Sequence, residues 1–322
     1  MEVDDRIFIA GHKGLVGSAL VRKLKSKNYS NLLLRTRSEL DLTDKAAVEN
    51  FFKKEKPDYV FLAAAKVGGI HANNVMPAEF IHQNLMIQNN VIHSAYQYHV
   101  KRLVFLGSSC IYPKDCIQPI RESYLLNGPL ELTNRPYAIA KIAGIEMCWA
   151  YNRQYNTQFL ALMPTNLYGP NDNYHIEHSH VIPALIRKFH EAKKTNKKYV
   201  ELWGTGKPRR EFMHADDLAD ACHNIIQLSK SDLDKLMPAN LPPIVNVGWG
   251  EDISIKELAE KIADIIEFKG EIKFDSNNLD GTLLKKLCCE KMKSIGWLPK
   301  IELNIGLEKT YQKFLIDNKV NI

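Results

Sequence analysis

The amino-acid sequence predicts an α/β fold, a doubly wound parallel sheet with helices on both faces and a smaller, discontinuous α/β domain beside it. Three observations predict it. Short apolar runs alternate with amphipathic stretches of helical length through the first half of the chain. Three glycines, Gly11, Gly14 and Gly17, sit between the first apolar run and the first helical one. After Pro164 the pattern loosens into a loop rich in Asn, Tyr and His, then into helices separated by turn clusters.

Taken in order, residues 6–10 (RIFIA) read as the first strand, and Ala19, Leu20 and Leu24 repeat at helical spacing behind the glycines. The next strand is 32–34, followed by an amphipathic helix over 44–54 and a strand over 59–65. A long helix over 79–99 leads to the buried strand 101–107, and a second long helix over 136–155 to the strand 159–163. Beyond it, helices are expected over 181–196, 216–228 and 254–268, the last opened by a capping box of Ser254 and Glu257. A late strand over 241–248 has the apolar character to rejoin the first sheet. The expected division is therefore a first domain over 1–165, with segments near 212–228 and 241–268 returning to it, and a second domain made mainly of 166–322.

Composition excludes several classes. Of 322 residues, 45% are hydrophobic and 25% charged, which fits a globular chain and not a disordered or fibrous one. The longest apolar runs fall far short of the ~20 residues a membrane span needs. The start, Met1 to Asp5, is acidic where a secretory leader would be basic. A cytoplasmic location is expected, with no membrane partner. The formal charge of +6 comes from scattered Lys and Arg, so nucleic acid is not an expected partner. Six cysteines without a Cys-x-x-Cys pair read as free thiols.

Gly11, Gly14 and Gly17 follow a strand and open a helix, the placement in which a tight turn lets backbone N–H groups approach a pyrophosphate. That is the dinucleotide-binding form of the doubly wound sheet, the Rossmann arrangement. An NAD site would put an acid about 20 residues further on. Here the second strand ends Leu34-Arg35-Thr36-Arg37, and those arginines with Lys13 favour a 2′-phosphate, so NADP(H) is the expected cofactor. Asp41 and Leu42, a step beyond, are placed to address the adenine.

Tyr137 and Lys141 fall four residues apart on one helix face. The lysine, as a near cation, is expected to lower the tyrosine pKa and fit it for proton transfer at a carbonyl oxygen. Ser108, Ser109 and Cys110 lie at the C-terminal end of a predicted parallel strand, where open α/β sheets bind ligands. The run His175 to His180 (HIEHSH) matches no usual zinc spacing, and no metal is expected.

This order of glycine loop, strand-end serine and Tyr-x-x-x-Lys resembles the extended short-chain dehydrogenase/reductase family, whose members mostly act on nucleotide sugars. Residues 209–217 (RREFMHADD) resemble that family's substrate-domain signature. The stretches 64–70 (AAKVGGI), 107–113 (GSSCIYP), 136–144 (PYAIAKIAG) and 163–170 (MPTNLYGP) resemble the branch that epimerises GDP-4-keto-6-deoxy-D-mannose at C3 and C5 and reduces it at C4 with NADPH. The resemblance implies Ser108 and Tyr137 on the C4 oxygen, Cys110 as base and His180 as acid. It places Leu15, Val16, Ala63, Ala64, Pro164, Asn166, Leu167 and His180 about the cofactor, together with Tyr137 and Lys141. For the GDP-sugar it implies Ser109, Asn166, Lys188, Trp203 on the guanine, Arg210 on the pyrophosphate, Asp280 and Lys285.

The sequence departs from the branch at Lys188, where an arginine is usual, and at Leu283 and Leu284, which replace a proline and an arginine. A homodimer through the helices near 79–99 and 136–155 is also implied. A 4,6-dehydratase of the family would carry an Asp-Glu pair where this chain has Ser109 and Cys110. Another nucleotide-sugar epimerase or reductase, such a dehydratase, and a non-catalytic dinucleotide-binding regulator are the alternatives.

Overall fold

The computed structural model describes residues 1–175, 179–275 and 282–319. Strand β1 (Ile7–Ala10) leads into α1 (Leu15–Ser26), β2 (Leu32–Leu33) into α2 (Lys45–Glu55), and β3 (Tyr59–Leu62) into α3 (Ile70–Val75) and α4 (Pro77–Gln97). Strand β4 (Arg102–Leu106) leads into α5 (Arg135–Tyr155), then β5 (Phe159–Pro164) and β6 (Asn166–Tyr168). Next come α6 (Val181–Lys194), β7 (Tyr199–Trp203), β8 (Arg209–Arg210), β9 (Phe212–His214), α7 (Ala215–Gln227) and α8 (Lys230–Leu236). The chain closes with β10 (Ile244–Val247), β11 (Ile253–Ser254), α9 (Ile255–Ile266), β12 (Glu271–Asp275), β13 (Leu284–Lys285), α10 (Glu290–Ser294) and α11 (Leu303–Lys319).

Local chemistry starts these helices where the sequence says it should. The Asp44 carboxylate accepts the Ala47 N–H at 3.0 Å and opens α2. Ser254 and Glu257 cap α9 reciprocally. Proline stands in the first turn of both α4 and α5, where its missing N–H costs nothing.

Six strands pair in the order β10-β5-β4-β3-β1-β2, every pairing parallel. The chain steps outward from β1 to β2, then crosses back to β3 on the other side of β1. Strand order reverses there, and the crevice at the C-terminal ends of β1 and β3 is where a doubly wound sheet accepts a ligand. Side chains alternate between faces. Ile7 and Ile9 join Val104, Leu106 and Val245 beneath α1 and α7, while Phe8 and Ala10 join Leu103, Phe105 and Phe159 beneath α2, α4 and α5. Both faces are covered, so the strands read as continuous apolar runs.

A third apolar cluster gathers Ile182, Ile186 and Phe189 of α6, Leu258 and Ile262 of α9, and Leu307 and Phe314 of α11. Strand β10 belongs to the main sheet, but α9, which follows it, packs in this third cluster. Around that cluster β7 pairs with β12, β8 lies between β11 and β13, and β6 pairs with β9. All six cysteines are free thiols. Among the described residues, no helix is long and apolar enough to cross a membrane.

Candidate active site

The glycine loop is shaped by contacts that exclude side chains. Gly11 has a left-handed φ of +83°, and a Cβ there would lie 2.9 Å from the Ala64 backbone at the end of β3. A Cβ on Gly17 would lie 2.0 Å from the Gly11 carbonyl oxygen, so α1 packs against the turn that precedes it. A Cβ on Gly14 would meet, among the described residues, only that same oxygen at 3.5 Å, which leaves its outer side open. No side chain caps the N-terminus of α1. Open backbone donors at a helix start, in the crevice of the strand reversal, form a cradle that fits a dinucleotide pyrophosphate. Leu15, Val16, Ala63 and Leu167 pack about the first cluster at this edge, Ala64 lies against the second, and Pro164 ends β5 two strands away.

The two arginines after β2 divide. Arg35 is engaged with Glu55 at 3.0 Å and lies over the Phe51 ring, 5.6 Å from its centroid. Arg37 is 74% exposed and, among the described residues, meets only Asp41, at 3.7 Å. Asp41 accepts from the Thr43 N–H and hydroxyl at 2.9 and 2.8 Å, which with Arg37 hold its carboxyl below the usual range despite partial burial. Arg37 is therefore the arginine available to a bound phosphate; Arg35 is a structural one.

The centre lies at the end of β4. Helix α5 comes close to that strand because Gly144 has no side chain; a Cβ there would stand 2.6 Å from the Phe105 ring. One turn earlier, Lys141 is 3% exposed and donates to the Leu106 carbonyl at 2.7 Å. Its Nζ lies 4.6 Å from the centroid of the Phe105 ring and 5.8 Å from that of Tyr137. Burial lowers the Lys141 pKa from 10.5 to about 7. Burial raises the Tyr137 phenol above 10, the Cys110 sulfur adds to the rise, and a hydrogen bond with Ser108 pulls the other way.

Tyr137 is thus raised and not, as expected from Lys141, lowered. Desolvation acts on both groups, and a lysine whose own pKa burial brings to about 7 carries less charge to act on the phenol.

Ser108 caps the short turn Ser109–Ile111, its Oγ accepting the Cys110 N–H at 3.3 Å. Ser109 is buried beneath that turn, 6% exposed, whereas Ser108 and Cys110 are half-buried on its open side. Two donors reach the Cys110 sulfur: Asn134 Nδ2 at 3.5 Å and Lys285 Nζ at 3.8 Å. Lys285, expected on the GDP-sugar, therefore stands at the thiol.

His180 stands at the head of α6, exposed to solvent yet hemmed by enough protein that burial lowers its pKa below 6.5. Its ring makes no hydrogen bond among the described residues, and no contact ties it to Cys110.

Lys188 points its Nζ to the Glu201 carbonyl at 3.4 Å and over the Trp203 ring, 5.8 Å from the centroid, which brings those two residues together; Trp203 is 75% exposed. The Arg210 guanidinium is anchored to the carbonyls of Arg209 and Thr282 at 2.8 and 2.5 Å. Asn166 gives its amide N–H to the Glu211 carbonyl at 2.9 Å. Asp280 and His178 lie outside the described residues.

Two residues that sequence reasoning passed over organise this region. Glu211 is fully buried; its carboxylate accepts the N–H groups of Gly250 and Leu287 at 2.7 and 2.9 Å, and its carbonyl accepts from Thr165 and Asn166. It ties β5, the loop after β10 and the strand that carries Lys285 into one body. Asn134, just before α5, is the other. Their only signals were a charge inside the 209–217 run and a polar residue ahead of Arg135 and Pro136.

The family model described as NAD dependent epimerase/dehydratase family matches residues 7–248. A putative GDP-L-fucose synthase 2 of Arabidopsis thaliana is 56% identical over 315 residues, 98% of this chain and 93% of that protein. The GDP-L-fucose synthase of Escherichia coli (strain K12) is 52% identical over 313 residues, 96% of each. Among solved structures, a GDP-mannoheptose C4 reductase from Campylobacter jejuni with NADP bound superposes with a TM-score of 0.89 at 44% identity, covering 98% of this chain and 99% of that one.

Proposed function

The chain belongs to the NAD dependent epimerase/dehydratase family and, within it, to the GDP-L-fucose synthases, and on that premise we propose that it converts GDP-4-keto-6-deoxy-D-mannose to GDP-L-fucose with NADPH. The observation that carries the reading is the grouping of Ser108, Cys110, Tyr137 and Lys141 at one strand end, beside a glycine cradle that fits a dinucleotide.

The C4 ketone acidifies the protons on C3 and C5, because removal of either leaves an enolate with its charge on the C4 oxygen. Ser108 at the end of β4 and Tyr137 in the first turn of α5 are placed to donate to that oxygen. Inversion needs a proton taken from one face of the ring and one returned to the other. Cys110 takes the first and His180 returns the second. Reduction comes last, since without the ketone C3 and C5 lose their acidity. NADPH, when bound, supplies the hydride to C4. Tyr137 gives the oxygen its proton, a role suited to a phenol whose raised pKa keeps it protonated at neutral pH.

Lys13 and Arg37 would hold the 2′-phosphate, with Asp41 and Leu42 beside the adenine. The first lobe, residues 1–165 with the returning β10 and α7, takes the cofactor, and the remainder takes the GDP-sugar. Trp203 and Lys188 form the support for guanine and diphosphate, joined by Arg210. Half-exposed apolar residues on the long helices, Ile139 at 39% and Tyr155 at 42%, support a homodimer through α4 and α5. Free thiols throughout fit a cytoplasmic location.

Simple C4 reduction without epimerisation is a second reading, favoured by the likeness to the heptose C4 reductase. NADPH oxidation with GDP-4-keto-6-deoxy-D-mannose, run in parallel with NADH, tests the main one. Turnover with NADPH is expected, and NADPH binding without turnover would refute the substrate.

A further inference from the structure

We infer that Lys285 is a positioning residue for Cys110, holding its sulfur as the thiolate, and not a ligand of the substrate diphosphate; the inference rests on the reaction proposed above. Its Nζ lies 3.8 Å from the Cys110 Sγ, and the Asn134 amide nitrogen lies 3.5 Å from the same atom. Both contacts are donors, one of them a full cation. A sulfur that receives two donors is better matched as an anion than as a thiol, whose own S–H needs an acceptor.

The backbone around Lys285 is fixed from two sides. The Glu211 N–H donates to the Lys285 carbonyl at 3.3 Å, the Lys286 N–H to Gln118 Oε1 at 2.9 Å, and the Leu287 N–H to the buried Glu211 carboxylate at 2.9 Å. In the register of β13 against β8, Lys285 lies opposite Arg210. From that register Lys285 reaches back toward the first lobe, to the Cys110 sulfur. Among the described residues, Tyr137 of α5 also acts on that sulfur, and its charge would oppose a thiolate. Lys285 is the cation that touches it, and Cys116 feels the same ammonium.

In the reaction, the Cys110 thiolate removes a ring proton: the C–H bond breaks, an S–H bond forms, and the electron pair moves to the C4 oxygen. Lys285 raises the fraction of enzyme ready for that step.

Iodoacetamide labelling of the whole enzyme across pH 5.5 to 9.5 tests this, read by mass spectrometry on the tryptic peptide 103–114, in which Cys110 is the only cysteine. Lys285→Met should slow labelling of Cys110 at pH 7 by about tenfold and move the profile to higher pH, while Lys285→Arg should keep most of the wild-type profile. With GDP-4-keto-6-deoxy-D-mannose, Lys285→Met should lower kcat for deuterium incorporation and leave KM within about threefold.

A raised KM with an unmoved labelling profile would overturn the inference and return Lys285 to the diphosphate. NADPH binding reports that each variant is folded. Wild-type enzyme saturated with GDP supplies a measurement that needs no variant. The midpoint of the labelling profile should stay where it is, and an upward move would mean that Lys285 leaves the sulfur for phosphate. Labelling needs no turnover, so failure of the proposed substrate leaves this test intact.

Discussion

Replacing Lys141 by Met removes a charge that the fold holds at a cost, and the cost depends on pH in a direction the site dictates. Lys141 is 3% exposed, no carboxylate among the described residues faces it, and burial brings its pKa from 10.5 to about 7. Unfolded, the lysine keeps its proton until about pH 10.4. Between pH 7 and 10.5 the unfolded chain therefore binds more protons than the folded one, so stability rises with pH across that window. At pH 7 and below the full penalty is present, about 5 kcal/mol from the gap between the two values. Met fills similar space without charge but leaves the Leu106 carbonyl without its 2.7 Å donor, a loss of ~1–3 kcal/mol.

Lys141→Met should therefore be inactive and yet more stable than wild type by roughly 2–4 kcal/mol at pH 6.5. The advantage should vanish or reverse by pH 10. Urea unfolding at fixed protein concentration at both pH values measures it. A variant less stable than wild type at pH 6.5, or one whose difference is the same at both, would refute the electrostatic reasoning.

Gly17→Ala sets a methyl 2.0 Å from the Gly11 oxygen and 2.7 Å from His12 Cα, both backbone atoms, so the loop must shift. NADPH binding measured by fluorescence should weaken about tenfold or more while the sheet remains folded. Arg37→Ala should weaken NADPH by about 10- to 100-fold and leave NADH unchanged, the loss of one charge-assisted phosphate contact; equal losses would place the 2′-phosphate elsewhere. Cys110→Ser should reduce solvent-deuterium incorporation into the sugar by about 100-fold or more with NADPH affinity intact. His180, whose pKa burial lowers, should donate less readily as pH rises, so wild-type epimerisation should fall with pH, while His180→Gln should impair epimerisation at every pH and leave NADPH binding intact.

Much of the first lobe was legible because its signals are local. The alternation of strand and helix, the glycine loop and the capping box each repeat within a few residues, and the strands formed within one to three residues of where the apolar runs put them. The second lobe was harder to read. Strands β8, β11 and β13 are two residues long and carry no period, and the β7 to β12 pairing joins segments about 70 residues apart that only tertiary packing brings together. Helix α11 interleaves its buried Leu307, Tyr311 and Phe314 with charges that hide its apolar stripe.

Of the site, Tyr137, Lys141, Ser108 and Cys110 could be placed together from motif order. The sign of the effect on Tyr137 could not, because desolvation depends on burial that sequence does not state. Glu211 escaped for the same reason: a carboxylate within Arg-Arg-Glu reads as surface charge until its two backbone partners are seen.

The most direct test of the account is NMR of the product made from GDP-4-keto-6-deoxy-D-mannose and NADPH in deuterated water. GDP-L-fucose carrying deuterium at both C3 and C5, with protium at C4 from the cofactor, is expected. A product reduced at C4 that keeps its original protons and configuration at C3 and C5 would contradict it, leaving a C4 reductase in which Cys110 and His180 play no part in proton transfer.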